Sequence, residues 1–93
     1  MTITTDSRSH VVYLDRRLVR RLEIGASARA HRGSTVAERK AAKSYSTYLE
    51  QALRVRGDRI ELKGPESWFR SLIRVCADAP AAFEIGRQLQ GPE

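Results

Sequence analysis

One amphipathic segment begins with a cationic side chain and two hydroxyl groups. It is the first feature of this sequence whose side chains could bind a ligand. The segment 41–54 reads AAKSYSTYLEQALR, in which small and polar residues precede apolar residues at helical spacing. Its first residues supply an ammonium group on Lys43 and hydroxyl groups on Ser44 and Ser46. A helix N-terminus offers free backbone N–H groups and the positive end of the helix dipole. The combination predicts a helix start that holds an anion such as phosphate.

The other reactive side chains do not form a recognisable catalytic or metal-binding arrangement. No nucleophile has a base at a suitable spacing, and neither a phosphate-cradling glycine loop nor a pair of carboxylates in an apolar setting is present. Cys76 is the only cysteine, which excludes an intramolecular disulfide, and we expect it to be a buried helix residue. His10 and His31 lie far apart. We therefore expect a protein that is not an enzyme and that uses no metal or cofactor.

The charge of the chain is concentrated in its first half. The 93 residues carry a net charge of +6, from 17 Lys and Arg and 11 Asp and Glu. Residues 1–43 hold ten basic and four acidic side chains, whereas residues 44–93 hold seven of each. Concentrated positive charge favours binding to a nucleic-acid backbone. A solvated basic face that only keeps the protein soluble would have the same composition.

The length and the apolar content of the chain limit its possible oligomeric state and cellular location. A chain this short buries a modest core, and without a disulfide or a metal a partner subunit is the remaining source of stability. No apolar run is long enough to span a membrane, and the N-terminal MTITTDSRSH lacks the apolar core of a signal peptide. We expect a cytoplasmic dimer that does not bind membranes.

Two segments are candidates for a strand. The stretch 10–14, HVVYL, is rich in β-branched and aromatic residues, and 21–27, RLEIGAS, alternates apolar and polar residues. Because Gly25 disfavours a helix, we predict the strand at 22–26. Helices are predicted over 28–42, 44–56, 65–79 and 81–89, with a turn before Ser44 and a short extended segment at 58–62. No internal repeat is apparent.

This order of strand, helix, tight turn and helix resembles the ribbon-helix-helix family of DNA-binding proteins. The matching stretches are RLEIGAS for the strand, ARAHRGSTVAERKA for the first helix, and AKSYSTYLEQALR for the turn and second helix. The resemblance implies a mainly α fold with one short β-strand. It also implies a homodimer in which two strands form an antiparallel ribbon in the major groove of double-stranded DNA. The N-terminus of the second helix would then hold a backbone phosphate.

The resemblance also assigns the residues that contact DNA. Its groove-facing strand positions fall on Arg21, Glu23 and Gly25, of which Arg21 would read bases and Glu23 would accept from a cytosine amino group. Gly25 offers no side chain for reading. The residues expected to attract or hold phosphate are Arg29, Arg32, Lys40, Lys43, Ser44 and Ser46.

The C-terminal part resembles the extension of ribbon-helix-helix antitoxins that are paired with acetyltransferase-type toxins. The matching stretch is GDRIELKGPESWFRSLIRVCADAPAAFEIGRQL. The resemblance implies a partly ordered N-terminal arm at 1–20, a DNA-binding and dimerisation unit at 21–57, and a helical, partner-binding extension at 58–93. The expected function is a transcriptional repressor that is also the antitoxin of a toxin-antitoxin system. The toxin-binding surface is expected at Trp68, Phe69, Leu72, Ile73 and Phe83.

Three alternatives stay open. The ribbon strand could instead be SHVVYLD, with Val12 and Leu14 facing the core. Val11 and Tyr13 would then face outward, and roughly 30 residues would separate this strand from Ser44. The apolar residues of the C-terminal part could be ordinary core. The protein could also be a phage-type inhibitor or adaptor that blocks a nucleic-acid enzyme by protein–protein binding.

Overall fold

The computed structural model describes residues 9–90, which form four helices and two strands. In chain order these are β1 (Ser9–Asp15), α1 (Arg16–Arg32), α2 (Val36–Ala52), β2 (Arg59–Pro65), α3 (Glu66–Cys76) and α4 (Ala79–Leu89). The described part of the chain is mainly helical, as expected, but it has two short strands, which form an antiparallel sheet, where one strand was expected. None of the helices within residues 9–90 has both the length and the apolar character needed to cross a bilayer.

β1 and β2 pair with each other within one chain to form a two-stranded ribbon. The pairing is antiparallel, and its register places Val12 opposite Leu62. Exposed residues alternate with buried or half-buried ones through 9–15 and 59–63, so each strand has one face for the core. The inward-facing residues Val12, Leu14, Ile60 and Leu62 are all at most 1% exposed. The alternative strand, the extended segment at 58–62 and the inward placement of Val12 and Leu14 are therefore confirmed.

The strand predicted at 22–26 is wrong, because these residues lie in the middle of α1. Leu22 and Ala26 are buried whereas Ile24, between them, is 59% exposed, which is the pattern of one turn of an amphipathic helix. The helix begins at the end of β1, where the carboxylate of Asp15 accepts a hydrogen bond from the backbone N–H of Arg17 at 2.9 Å. With this earlier start the apolar residues fit the helical period.

The two long helices are separated at 33–35, so the second helix starts eight residues earlier than predicted. The hydroxyl of Thr35 accepts from the backbone N–H of Glu38 at 3.1 Å, and the Glu38 carboxylate accepts from the backbone N–H of Ser34 at 2.9 Å. This reciprocal cap is of the capping-box kind. Helix α2 therefore starts at Val36, and the predicted start at Ser44 is wrong.

Residues 9–90 form two β-α-α units in tandem. The first unit is β1, α1 and α2, and the second is β2, α3 and α4. Their strands match at an offset of 50 residues, from 9–15 to 59–65, and the helices that follow begin at Arg16 and Glu66, also 50 apart. Val12 and its ribbon partner Leu62 are equivalent by the same offset. An approximate two-fold axis therefore passes through the centre of the ribbon.

The buried faces of α1 and α3 obey the same offset. Val19 corresponds to Phe69 and Leu22 to Leu72, and all four are fully buried. The two units differ in helix length, because α1 and α2 have 17 residues each whereas α3 and α4 have 11. The offset nevertheless gives each unit one strand and one helix that face the shared core in the same way.

A single apolar cluster draws on all six elements. The two helices predicted over 65–79 and 81–89 are present as α3 and α4, but α3 already ends at Cys76 and α4 begins at Ala79. They do not form a separate extension. The division between 21–57 and 58–93 is wrong, because residues 58–90 complete the core that 9–57 begin. Of the predicted arm at 1–20, residues 1–8 lie outside the described residues, and the others form β1 and the start of α1.

Cys76 lies in this core, as predicted. Burial, with a smaller contribution from the carboxylate of Asp78, raises the pKa of its thiol to about 12. Close by, Gly25 lets α1 and α3 approach each other, since a Cβ at this position would lie only 2.7 Å from the backbone oxygen of Cys76. The glycine that argued against a helix is thus explained by a helix–helix contact.

We expect Gly25→Ala to lower the free energy of unfolding by about 1–3 kcal/mol, because the added methyl group forces α1 and α3 apart. The matched control is Gly86→Ala in α4, where a Cβ would meet nothing within 4 Å. That substitution should raise stability by about 0.5–1 kcal/mol, since it only removes a helix-disfavouring residue. Urea denaturation followed by circular dichroism measures both. Equal stabilisation by the two substitutions would contradict the close contact.

Candidate nucleic-acid interface

The outward side of the ribbon is an exposed surface rich in functional side chains. Inward and outward residues alternate, so the neighbours of the four buried strand residues point away from the helices. Val11 and Tyr13 are 40% and 44% exposed despite their size. We call this surface the ribbon face and restrict it to Val11, Tyr13, Arg59, Glu61 and Lys63, because the carboxylate of the neighbouring Asp15 is engaged in capping α1.

The pairing of the strands fixes the order of these side chains. Val11 lies opposite Lys63, and Tyr13 lies opposite Glu61. The guanidinium of Arg59 lies over the ring of Tyr13, 5.4 Å from its centroid. This cation–π contact reduces the freedom of an exposed arginine at one end of the ribbon. The ribbon face therefore offers hydrogen-bond donors, one carboxylate acceptor and apolar surface in a defined arrangement.

Side chains from the second helix of each unit occupy both outer edges of the ribbon. The backbone N–H of Tyr13 donates to Oε1 of Gln88 at 2.9 Å, and Nε2 of Gln88 donates to the Tyr13 carbonyl at 2.7 Å. On the other edge, the backbone N–H of Lys63 donates to the hydroxyl of Tyr48 at 3.1 Å. Tyr13 and Lys63 are equivalent by the 50-residue offset. A strand from a second copy could add at these positions only by displacing these bonds.

An aromatic cluster supports the ribbon from below. The ring of Trp68 makes edge-on contacts with Tyr45, Tyr48 and Phe69, at centroid distances of 5.4, 5.0 and 5.0 Å. A Cβ on Gly64 of β2 would lie 3.2 Å from the same indole ring. The packing holds Tyr48 in the position from which its hydroxyl reaches the ribbon edge.

An open cleft of about 550 Å³ lies where the ribbon joins α1, and its lining residues are Asp15, Arg16, Arg17, Arg20 and Asp58. The guanidinium of Arg16 donates to the backbone carbonyls of Leu53 at 2.8 Å, Gly57 at 2.9 Å, and Val55. It thereby ties the loop between α2 and β2 to the start of α1. The side chains of Arg17 and Arg20 are exposed, and neither forms an ion pair with another residue in 9–90.

The predicted strand readers are not groove-facing strand residues, so this assignment is wrong. Arg21 is exposed on α1 and forms an ion pair with Asp78 at 2.9 Å, which raises the pKa of the guanidinium. Glu23 accepts a hydrogen bond from the Ser46 hydroxyl at 3.3 Å, between α1 and α2. Gly25 lies at the contact with α3. In the fold, all three residues lie on α1 and contact other parts of the helical layer.

The predicted anion site at the start of a helix is also wrong. Lys43, Ser44 and Ser46 lie in the interior of α2, where the backbone N–H groups are bonded within the helix. Lys43 and Ser44 are exposed, whereas Ser46 is half-buried. The hydroxyl groups of Ser44 and Ser46 therefore do not lie beside free backbone N–H groups.

The remaining predicted phosphate contacts lie near the turn between α1 and α2. Arg29 pairs with Glu38 at 2.9 Å, and this bond, together with the Ser34 N–H, lowers the pKa of the Glu38 carboxyl. Arg32 and Lys40 are exposed on the two sides of the turn. The structure therefore keeps Arg32, Lys40 and Lys43 as exposed cations and engages Arg29 within the fold.

The predicted partner-binding residues divide between core and surface. Phe69 and Leu72 are fully buried, so their assignment to a binding surface is wrong and the core-packing alternative holds for them. Trp68 and Ile73 are half-buried against the same core. Phe83 on α4 is the exception, with 72% of its side chain exposed.

Sequence reasoning missed most of the ribbon face and the two exposed arginines beside it. The signal for Val11 and Tyr13 was present in the alternative strand, where both were expected to face outward. The signal for Arg59, Glu61 and Lys63 was the alternation in DRIELK, but their exposure on a shared surface depends on the pairing with β1.

No family model matches the chain, and no curated protein or solved structure is significantly similar to it. The interpretation of the site therefore depends on its own geometry.

We expect Arg16→Met to lower the free energy of unfolding by about 1.5–3 kcal/mol, because three backbone carbonyls lose a charged donor. Arg17→Met is the matched control, since its exposed side chain should contribute within about 0.5 kcal/mol. Urea denaturation at neutral pH measures the difference. Equal stability of the two variants would show that Arg16 does not hold the loop.

Proposed function

We propose that this protein binds double-stranded DNA as a transcriptional repressor, and that its two β-α-α units together make a ribbon-helix-helix arrangement within one chain. The observation that carries the proposal is the exposed ribbon face on a ribbon that four helices support. A two-stranded antiparallel ribbon fits the major groove of B-DNA, where each base pair presents a distinct pattern of donors and acceptors. In the expected homodimer two chains would supply this ribbon, whereas here the chain supplies both strands.

The side chains of the ribbon face suit the chemistry of base edges. Arg59 and Lys63 can donate to the O6 and N7 atoms of guanine, and Glu61 can accept from the amino group of cytosine. Val11 and Tyr13 offer apolar surface to the methyl group of thymine. The cation–π contact with Tyr13 holds the Arg59 side chain near one position, which lowers the entropic cost of binding.

Exposed cations beside the ribbon suit the phosphate backbone. Arg17 and Arg20 lie in the first turns of α1, directly after β1, and line the cleft at the end of the ribbon. Phosphate contacts fix the position of a protein on the duplex, while base contacts give specificity. The net charge of +6 adds attraction that does not depend on sequence. A protein that occupies the major groove at a promoter would exclude other proteins from that segment, which is the physical basis of repression.

A second candidate function, binding of a protein partner such as a toxin, is favoured by Phe83. This ring is the most exposed of the large apolar side chains among the described residues. It lines a shallow cleft of about 380 Å³ on α4 together with Ala82, Gly86, Arg87 and Gln90. An exposed aromatic side chain beside a glycine suits an anchoring contact. This surface would serve an antitoxin or an inhibitor of a nucleic-acid enzyme equally.

We expect DNA binding to weaken as salt rises, with a negative slope of log K against log[salt]. Replacement of both Arg17 and Arg20 by Ala should reduce the size of this slope by about two, because each phosphate contact contributes about one. Arg74→Ala is the control, since Arg74 is exposed about two turns along α3 from the ribbon. Fluorescence anisotropy with a labelled duplex measures the slopes. A flat plot, or an equal change in the control, would contradict the proposal.

We expect Phe83→Ser to weaken binding of a protein partner at least tenfold while the affinity for DNA stays unchanged. The partner to test is the purified product of the neighbouring reading frame, by isothermal titration calorimetry. Val36→Ser is the matched control, because Val36 is an exposed apolar residue at the start of α2, outside the ribbon face and the cleft at Phe83. Undiminished binding by the Phe83 variant would remove the second candidate function.

A further inference from the structure

We propose that one copy of the chain binds a DNA site that lacks two-fold symmetry, an inference that rests on the function proposed above. The first reason is that the ribbon is complete within a single chain. Both strands belong to it, their four inward residues are buried, and the second helix of each unit bonds an outer edge. A second copy is not needed to supply either strand or core.

The second reason is that the side chains of the ribbon do not follow the symmetry of its backbone. The two-fold axis through the Val12–Leu62 pair relates residues that are 50 apart. It relates the apolar Val11 to the acidic Glu61, and the aromatic Tyr13 to the basic Lys63. In a homodimer the equivalent side chains would be identical, and the preferred site would be a palindrome.

The two ends of the ribbon therefore present different chemistry. We call one the arginine end, with Tyr13, Arg59 and Glu61, and the other the lysine end, with Val11 and Lys63. A donor and an acceptor lie side by side at the arginine end, which matches a G·C pair that offers guanine acceptors and a cytosine donor. The lysine end combines one donor with an aliphatic surface, which matches guanine or thymine O4 beside a thymine methyl group.

The basic side chains beside the ribbon also differ between its arginine end and its lysine end. Arg17 and Arg20 follow β1 at the arginine end, and their equivalents after β2 are Ser67 and Arg70. Arg70 is engaged by Glu66 in an ion pair of 2.8 Å, which lowers its availability for phosphate. The phosphate contacts should therefore be stronger at the arginine end. The resulting DNA site has a firmly held G·C-containing half and a more weakly held half of different sequence.

The test is selection of binding sites by the full chain from a duplex library with a randomised centre. The selected duplex is then mixed with the protein, and sedimentation equilibrium gives the number of chains in the complex. We expect a motif without two-fold symmetry and one chain per duplex. Arg59→Ala should relax the preference at the arginine end alone, with a loss of roughly 5- to 150-fold in affinity for the selected site.

A variant with a symmetric ribbon face gives an independent test. The substitutions Ser9→Arg, Val11→Glu and Tyr13→Lys give β1 the outward residues of β2, and the edge bonds of Tyr13 involve only its backbone. Selection with this variant should return a more palindromic motif than the native chain does. If the variant fails to fold in circular dichroism, the motif and stoichiometry of the native chain still decide the matter.

The outcomes separate the inference from the function on which it rests. A palindromic motif, or two chains on each selected duplex, would overturn the inference and leave DNA binding intact. Absence of any enriched motif together with absence of salt-dependent binding would overturn the proposed function, and the inference with it. A symmetric variant that folds and selects the native motif unchanged would also contradict the inference, because the outward residues of β1 would then not read DNA.

Discussion

The pairing of β1 with β2 is the interaction on which the other contacts depend. A two-stranded ribbon alone is marginally stable in water, because one apolar face and two edges stay open. Here four helices cover the inner face, and Tyr48 and Gln88 bond the outer edges. The strands are separated by 43 residues of chain, so their closure costs entropy that the common core must offset. We therefore expect the ribbon and the core to form cooperatively.

Close contacts outside the ribbon help to position its two strands. Gly25 brings α1 against the end of α3, and Arg16 ties the start of α1 to the loop that leads into β2. Neither residue lies on the ribbon face, yet both determine where its strands lie. The indole of Trp68 has a similar function, since it packs under Gly64 and against the ring of Tyr48. The position of the ribbon face therefore depends on half-buried residues that lie outside it.

Local patterns predicted part of this arrangement. The β-branched run HVVYL, the alternation in DRIEL and the amphipathic α3 were recognisable because each lies within one element. The error at 22–26 arose because a glycine and a short alternation outweighed the helical cap at Asp15. The repeat stayed hidden because few of its equivalent positions are identical: Leu22 and Leu72 are, whereas Val19 and Phe69 share only their burial. The outward placement of Val11 and Tyr13 was predicted with the alternative strand, but the contribution of β2 to the ribbon face was not, because it depends on pairing with a strand 50 residues away.

The covalent link between the two units has a consequence for dilution. A ribbon shared by separate subunits is lost when the protein is scarce, since association follows the square of the free concentration. In this chain the loop at 53–58 carries the polypeptide from α2 into β2, so the meeting of the strands is a unimolecular event. The folded fraction of such a chain would not depend on protein concentration, and binding to the proposed DNA site would be first order in the chain rather than second order.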